Sequence, residues 1–330
     1  MSELRRRAFL TLGGALLLSQ AAAQDARWAA KLAPPPPPKV LPKAWLDAPS
    51  IPLWPGAPPG TAGFVPQPVP ADWSPAFLRN VSRPELRVFR PKRSNGLALL
   101  VIPGGAYEFV SSANEGVELA QRMTASGTTV FVLTYRLPGE GWSNRSDVPL
   151  QDAQRAMRVI RANAARFEID AAKIFSLGFS AGGHLAATLA TQHAEHTYEH
   201  VDAADDADPR PFATGLIYPV ITMDKAWTHE KSRNLLLGKS PSEAEVERRS
   251  AERHVDANTP PVFILHAFDD DAVPVENSLR FMDAMRAAKR PVEAHLLQEG
   301  GHAFGVGFPN TVSEYWVPLF STWMQRVTGP

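Results

Sequence analysis

A serine surrounded by small residues lies in the segment GFSAGGHLAA, residues 178–187. One residue separates Ser180 from Gly178 on one side and from Gly182 on the other. The segment follows the apolar run KIFSL, and Ser180 opens a helical pattern. A tight strand-to-helix turn holds a serine in a strained conformation with its hydroxyl exposed, and only small neighbours fit there. The free N–H groups at the start of the helix favour negative charge that develops nearby. We therefore predict that Ser180 is a nucleophile; the alternative is a serine that only caps a helix.

A serine nucleophile needs a base, and the base needs a group that orients it. On a β/α scaffold these follow the serine in the order acid, then histidine. The apolar run PPVFILHAF is followed directly by three acidic residues, Asp269, Asp270 and Asp271. His302 lies in the segment EGGHAFG, which follows the next apolar run. Ligand and catalytic groups of parallel sheets lie at the carboxyl ends of strands. We favour Asp270, which precedes a Val-Pro pair by two residues, and keep its two neighbours as alternatives.

The histidine nearest to the serine in sequence is not the expected base. His184 lies one helical turn beyond Ser180, so its ring should point along or behind the turn rather than over the hydroxyl. We expect a packed helix residue there. His193, His196 and His200 have helical spacing that could suit a metal, but a solvated face is the favoured interpretation because no acidic or cysteine partner is evident.

The oxyanion of an acyl-transfer reaction also needs donors. One should be the backbone N–H of Ala181, the residue after the nucleophile. The segment PGGAY, residues 103–107, follows an early apolar run, and its glycines allow the N–H groups of Gly105 or Ala106 to face a substrate oxygen. The alternative is an ordinary turn.

The composition excludes several classes of protein. The chain has 330 residues, 34 basic and 34 acidic side chains and no cysteine. A zero net charge gives no broad attraction to nucleic acid or to an acidic membrane surface. Without cysteine, disulfides, thiolate metal sites and a cysteine nucleophile are ruled out.

The first 23 residues are typical of a signal peptide. Arg5, Arg6 and Arg7 precede a short apolar stretch and an Ala-rich cleavage region, and the apolar part is too short for a stable membrane anchor. The arginine pair resembles a twin-arginine signal, with an ordinary secretory signal as the alternative. Either predicts a periplasmic or secreted protein. Residues 24–80 are rich in proline and predict an extended linker that partly lies across the domain surface.

From residue 81 to 330, apolar runs alternate with helical patterns. Continuous apolar strands that alternate with helices indicate a parallel sheet covered on both faces, hence an α/β fold. Residues 222–258 interrupt the alternation and could form a small cap. The predicted strands cover 85–89, 97–102, 128–136, 171–179, 212–221, 260–268 and 291–298, and the predicted helices cover 115–127, 149–167, 181–194, 276–288 and 311–327.

Taken together, segments such as NVSRPELRVFRP, PGGAYEF, GFSAGGHLAA, TPPVFILHAFDDDAVP and EGGHAFG resemble the α/β-hydrolase superfamily. More narrowly, they are similar to bacterial acetylxylan-esterase-like and carbohydrate-esterase-like hydrolases. The resemblance implies a mostly parallel sheet of about eight strands and a Ser180–Asp270–His302 triad. One departure is clear: where many such esterases have His-Gly-Gly-Gly in the oxyanion loop, this chain has Pro103 first and Ala106 last. The bond by which the histidine would brace the loop is then lost, and the fixed φ of proline could replace it.

The resemblance and the export signal together predict a serine esterase without a metal or organic cofactor. Its expected substrates are short acyl esters, acetyl first, on plant polysaccharides or oligosaccharides such as xylan. Tyr107, Trp142 and Trp227 could stack on sugar rings, although packing or lid anchoring is at least as good an interpretation for each. A peptidase or lactonase on the same scaffold is the second hypothesis, and a non-catalytic carbohydrate-binding protein the third. We predict no nucleic-acid partner, no stable membrane anchor and no particular oligomeric state.

Overall fold

The structure is a computed structural model, and it describes residues 34–329. The predicted signal segment 1–23 and the beginning of the proline-rich segment, 24–33, lie outside the described residues. No helix within 34–329 is long and apolar enough to cross a membrane.

A single eight-stranded sheet organises the domain. The strands of the described chain are β1 (Ser50–Pro52), β2 (Phe77–Leu78), β3 (Glu85–Phe89), β4 (Ala98–Ile102), β5 (Val110–Ser111), β6 (Thr129–Thr134), β7 (Ile174–Phe179), β8 (Thr214–Ile217), β9 (Val262–Ala267) and β10 (Val292–Leu297). The strand order in the large sheet is β1-β3-β6-β4-β7-β8-β9-β10, and a separate antiparallel pair joins β2 to β5. Neighbours from β6 to β10 are all parallel, whereas β3 is antiparallel to both β1 and β6.

Two groups of helices pack against this sheet, as the apolar character of its strands requires. The α-helices of the described chain are α1 (Lys43–Asp47), α2 (Glu118–Ala125), α3 (Val148–Ala162), α4 (Ala164–Phe167), α5 (Ser180–Gln192), α6 (Glu230–Leu237), α7 (Glu243–Arg249), α8 (Glu276–Ala287) and α9 (Trp316–Thr328). α2 contacts α9 in one group, and α3 contacts α5 in the other. The α/β-hydrolase fold expected from the sequence is confirmed.

The burial of the central strands explains why they could be predicted from the sequence. Every residue of β4, β6, β7, β8 and β9 is buried, which is typical of parallel strands covered on both faces. β10 is half-buried along its length because it is the edge strand.

Among the predicted elements whose boundaries differ from the structure, three have a clear local feature. The helix predicted over 149–167 divides at Asn163 into α3 and α4. The helix predicted over 115–127 begins with a π-helical turn at Ala113–Val117. β8 ends at Ile217, before the predicted end at 221, because Tyr218 has a φ of +36° and Pro219 follows it. Neither residue can continue a central strand.

Part of the proline-rich segment belongs to the core. Leu53 and Trp54 are buried, and β1 pairs with β3. The Trp54 indole donates a hydrogen bond of 2.8 Å to Asp152, whose carboxylate also pairs with the buried Arg136. Residues 222–258, the predicted cap, contain α6, α7 and a 3₁₀ turn at Ala251–His254.

Candidate active site

Ser180 occupies a sharp turn between β7 and α5. Its φ is +51°, a left-handed conformation that is strained for any residue other than glycine. The turn tolerates only small neighbours: a Cβ at Gly178 would lie 2.1 Å from the Gly182 carbonyl oxygen, and one at Gly182 would lie 2.2 Å from the Ile102 oxygen. Close backbone packing therefore holds Ser180 in its strained conformation, and the two glycines of the G-x-S-x-G pattern make that packing possible.

His302 and Asp270 complete a hydrogen-bonded series with this serine. The Ser180 hydroxyl lies 2.9 Å from Nε2 of His302, and Nδ1 of His302 lies 2.7 Å from Oδ2 of Asp270. Because a carboxylate can only accept, Nδ1 carries the proton and Nε2 is free to accept from the serine. This arrangement can transfer a proton from serine to imidazole while the carboxylate stabilises the imidazolium.

The sheet explains how residues so far apart in sequence meet. β9 and β10 are parallel neighbours, and Asp270 and His302 each follow the carboxyl end of one of them. Exposed Asp269 reinforces the meeting: its Oδ1 accepts hydrogen bonds of 2.8 Å from the N–H groups of both Gly300 and Gly301. Asp269 thus holds the loop that carries His302, a role that the sequence analysis did not assign to it.

Asp270 is held as an anion although its side chain is fully buried. Burial raises its pKa, but hydrogen bonds from His266 and His302 outweigh this and lower the pKa below its usual value. The N–H groups of Ala272 and Val273 also donate to Oδ1, at 3.0 and 2.8 Å. The orienting acid therefore stays charged throughout the neutral range.

The loop after β4 approaches the serine closely. A Cβ at Gly104 would lie 2.9 Å from the Cβ of Ser180. Gly105 and Ala106 have φ of +125° and +56°, and within residues 34–329 no acceptor is hydrogen bonded to either of their N–H groups. Ala181 lies in the first turn of α5, where N–H groups have no intrahelical partner. All three predicted oxyanion donors are thus in the neighbourhood of Ser180.

His184 is buried, and both nitrogens of its ring are hydrogen bonded. Its Nε2 lies 2.7 Å from the carbonyl oxygen of Arg249, and its Nδ1 lies 2.7 Å from the phenol oxygen of Tyr107. The carbonyl must accept from Nε2, so Nδ1 accepts from the phenol. Burial lowers the pKa of His184 to about 4, which keeps the ring neutral. His184 contacts the oxyanion loop rather than the serine hydroxyl.

The structure contradicts two of the three expected sugar-stacking residues. Tyr107 is 1% exposed and Trp142 is 3% exposed, so neither offers a ring face to a substrate. Tyr107 is tied to His184, and Trp142 stacks on Phe64 with centroids 4.5 Å apart. Trp227 is half-buried, with the guanidinium of Arg280 lying 5.3 Å from its ring centroid.

The helical histidines form no common site. His196 and His200 are exposed and pair separately, with Glu199 at 3.2 Å and Asp206 at 3.1 Å. Across the described part of the chain, no group of three or more histidine, aspartate or glutamate side chains could hold a metal ion.

Sequence reasoning missed a buried carboxylic acid beside the oxyanion loop. One carboxyl oxygen of Glu115 accepts from the Gly104 N–H at 2.7 Å, and the other accepts from the Tyr218 hydroxyl at 2.9 Å. The segment NEG around Glu115 gave no signal for this role, because Gly104 and Tyr218 lie 11 and 103 positions away and neither separation follows a helix or strand period.

Comparisons with known proteins find a xylanase and an esterase among the relatives of this chain. Over 208 residues, 63% of this chain and 32% of the relative, the sequence is 38% identical to an endo-1,4-beta-xylanase B of Butyrivibrio fibrisolvens. It is 29% identical to an acetylxylan esterase of Xylanibacter ruminicola, over 77% of this chain and 51% of that protein. The chain thus spans about a third to a half of the length of these relatives.

A solved structure matches over most of its length. The acetyl ester-xyloside bifunctional hydrolase of Caldicellulosiruptor lactoaceticus superposes with a TM-score of 0.72 at 32% identity, covering 85% of this chain and 97% of that one. The carboxylesterase Cest-2923 of Lactobacillus plantarum, with a TM-score of 0.61 at 23% identity, shares the fold. The class that the fold and these relatives define is the α/β-hydrolase superfamily. Residues 86–285 match the family described as BD-FAE, and the chain belongs to that family.

Proposed function

We propose that this protein is a serine esterase that removes acetyl groups from xylan or related plant glycans. The observation that carries the proposal is the unbroken series from Ser180 through His302 to Asp270, with distances of 2.9 and 2.7 Å. The acetyl and xylan specificity is supported by the relatives, which include an acetylxylan esterase and an acetyl ester-xyloside hydrolase.

In this proposal the reaction has two steps, formation of an acetyl-enzyme and its hydrolysis. Ser180 attacks the acetyl carbonyl carbon as His302 takes its hydroxyl proton, and the N–H groups of Ala181 and of Gly105 or Ala106 stabilise the oxyanion. The tetrahedral intermediate then collapses, the sugar oxygen leaves with the proton from the imidazolium, and an acetyl-enzyme remains. Water, deprotonated by the same imidazole, releases acetate and restores the serine.

Of the three aromatic residues predicted to stack on sugar rings, Trp227 is the one that the structure leaves partly exposed. Its carbonyl oxygen accepts from Asn277 at 2.8 Å, which ties it to the start of α8, just after the loop of Asp270. We expect Trp227→Ala to raise KM for acetylated xylan several-fold and to leave the hydrolysis of p-nitrophenyl acetate unchanged. Equal effects on both substrates would remove Trp227 from the glycan site.

The decisive experiment measures acetate release from acetylated xylan by the wild type and by Ser180→Ala. We expect a loss of about 10⁴-fold or more in kcat for the variant. His200→Ala, which changes an exposed histidine that pairs with Asp206, serves as the control and should be unaffected. Full activity of Ser180→Ala would refute the assignment, and a peptide and a lactone tested beside the xylan would reveal a peptidase or lactonase instead.

A further inference from the structure

Glu115 is a buried acid without a role in the reaction described above. It is 3% exposed, and it lies in the π-helical turn that precedes α2. Burial raises its pKa, while hydrogen bonds from Gly104 and Tyr218 oppose that effect. A buried carboxyl group is costly unless its oxygens are satisfied, and here each oxygen has a donor.

The first donor belongs to the oxyanion loop. Gly104 donates to Glu115 at 2.7 Å and immediately precedes Gly105 and Ala106. The preceding residue, Pro103, has no N–H to anchor the loop, so the Gly104 N–H is the first one that can do so. Glu115 therefore fixes the backbone from which the oxyanion donors extend.

The second donor leads to the loop of His302. The Tyr218 hydroxyl donates to Glu115 at 2.9 Å and accepts from the Gly305 N–H at 3.1 Å. Its ring lies 4.8 Å from the ring of His302 and 4.6 Å from that of Phe304, centroid to centroid. Tyr218 thus contacts the base directly and is bonded to the segment just after it.

These contacts form one continuous connection between the two loops that must meet at the reacting carbonyl. We propose that Glu115 is a positioning residue that, through Gly104 on one side and Tyr218 on the other, sets the oxyanion donors in register with His302. Through this connection Glu115 takes the bracing role that the loop's missing histidine leaves open. The inference rests on the proposed serine esterase function and adds a residue that never touches the substrate.

The connection should matter most in the transition state. The oxyanion forms only as the carbonyl becomes tetrahedral, so a misplaced donor weakens transition-state binding more than substrate binding. We therefore expect Glu115→Gln to lower kcat for p-nitrophenyl acetate about 10- to 100-fold with KM changed less than twofold. Affinity for an aryl trifluoromethyl ketone, whose adduct with serine carries an oxyanion, should fall by the same factor as kcat/KM.

A matched control separates positioning from stability. Glu140 is also 3% exposed and accepts a backbone hydrogen bond, from Asn80, but it lies in a different loop. Glu140→Gln should change thermal stability without this loss of kcat or of ketone affinity. Tyr218→Phe keeps the ring beside His302 and removes only the hydroxyl, so it provides a second test if Glu115→Gln does not fold.

The outcomes are distinct. Tyr218→Phe should also lower kcat. The double variant with Glu115→Gln and Tyr218→Phe should lose less kcat than the product of the two single losses, because both substitutions break the same connection. Wild-type kcat in a folded Glu115→Gln or Tyr218→Phe, or a loss confined to KM, overturns the inference. If Ser180→Ala is inactive while Glu115→Gln is normal, only the positioning role fails; if Ser180→Ala is active, the proposed function itself fails.

Discussion

The phenol of Tyr107 donates a hydrogen bond to Nδ1 of His184 across 2.7 Å, inside the protein. The bond joins the end of the oxyanion loop to the helix that the nucleophile begins. The histidine nearest to Ser180 in sequence therefore supports the loop opposite the serine, while a histidine 122 positions away in sequence contacts the hydroxyl.

Removing this bond should cost stability. Tyr107→Phe leaves the buried Nδ1 of His184 without a donor, which we expect to lower the free energy of unfolding by roughly 1–3 kcal/mol. His184→Ala breaks the bond to Arg249 as well and should cost more. Urea denaturation followed by fluorescence measures both. If His184→Ala folds normally but is inactive while His302→Ala stays active, the roles of the two histidines are reversed.

A methyl group at Gly104 should damage catalysis rather than folding. The Cβ of Gly104→Ala would lie 2.8 Å from the Phe179 carbonyl oxygen and 2.9 Å from the Ser180 Cβ, so the loop must shift away from the nucleophile. Losing one oxyanion donor costs about 10²–10³ in kcat, and we expect a loss in that range. Gly56→Ala, whose Cβ would meet no atom within 4 Å, is the control. Wild-type kcat in Gly104→Ala would show that this loop does not hold the oxyanion.

Asp269 should matter for the order of the His302 loop. Asp269→Ala removes the acceptor for the N–H groups of Gly300 and Gly301, so we expect kcat/KM to fall about tenfold. Asp269→Asn keeps an acceptor oxygen and should recover most of the activity. Asp271 is exposed and makes no side-chain hydrogen bond within the described chain, so Asp271→Ala should behave as the wild type. Steady-state kinetics of the three variants decides, and equal losses in Asp269→Ala and Asp271→Ala would contradict the assignment.

Glu140 gives the protein a pH-dependent stability. Burial raises its pKa from 4.5 to about 7, against the opposing effect of the Asn80 N–H and Arg79. Between these values the folded state binds more protons than the unfolded state, so this group lowers stability as the pH rises. We expect Glu140→Gln to be more stable than the wild type by roughly 1–3 kcal/mol at pH 8 and to lose that advantage below pH 4.5. Unfolding free energies measured across this range check the prediction, and a constant difference would contradict it.

The sequence by itself determined the sheet and the positions along it where chemistry is possible. Predominantly apolar runs identify central parallel strands, because a strand covered on both faces is buried at every position. Gly178 must be small because of the Gly182 carbonyl, and Gly182 because of the Ile102 carbonyl on β4. Both requirements leave a glycine within five residues of sequence, so the turn could be predicted. Asp270 and His302 could be placed because each follows a strand end, and parallel strands bring those ends together.

Only the tertiary structure decided which buried groups meet across the fold. From the sequence, Trp142 could either face a substrate or pack inside the protein. In the structure it stacks on Phe64, a contact that no regular spacing in the sequence indicates. Glu115 bonds to Tyr218 across 103 positions. Such contacts form between residues of different loops, which come close only once the sheet has formed. Because the number of residues between the two partners is not fixed by any helix or strand period, the contact leaves no pattern in the sequence. The serine's chemistry could therefore be predicted from the sequence, whereas the support of its oxyanion loop could not.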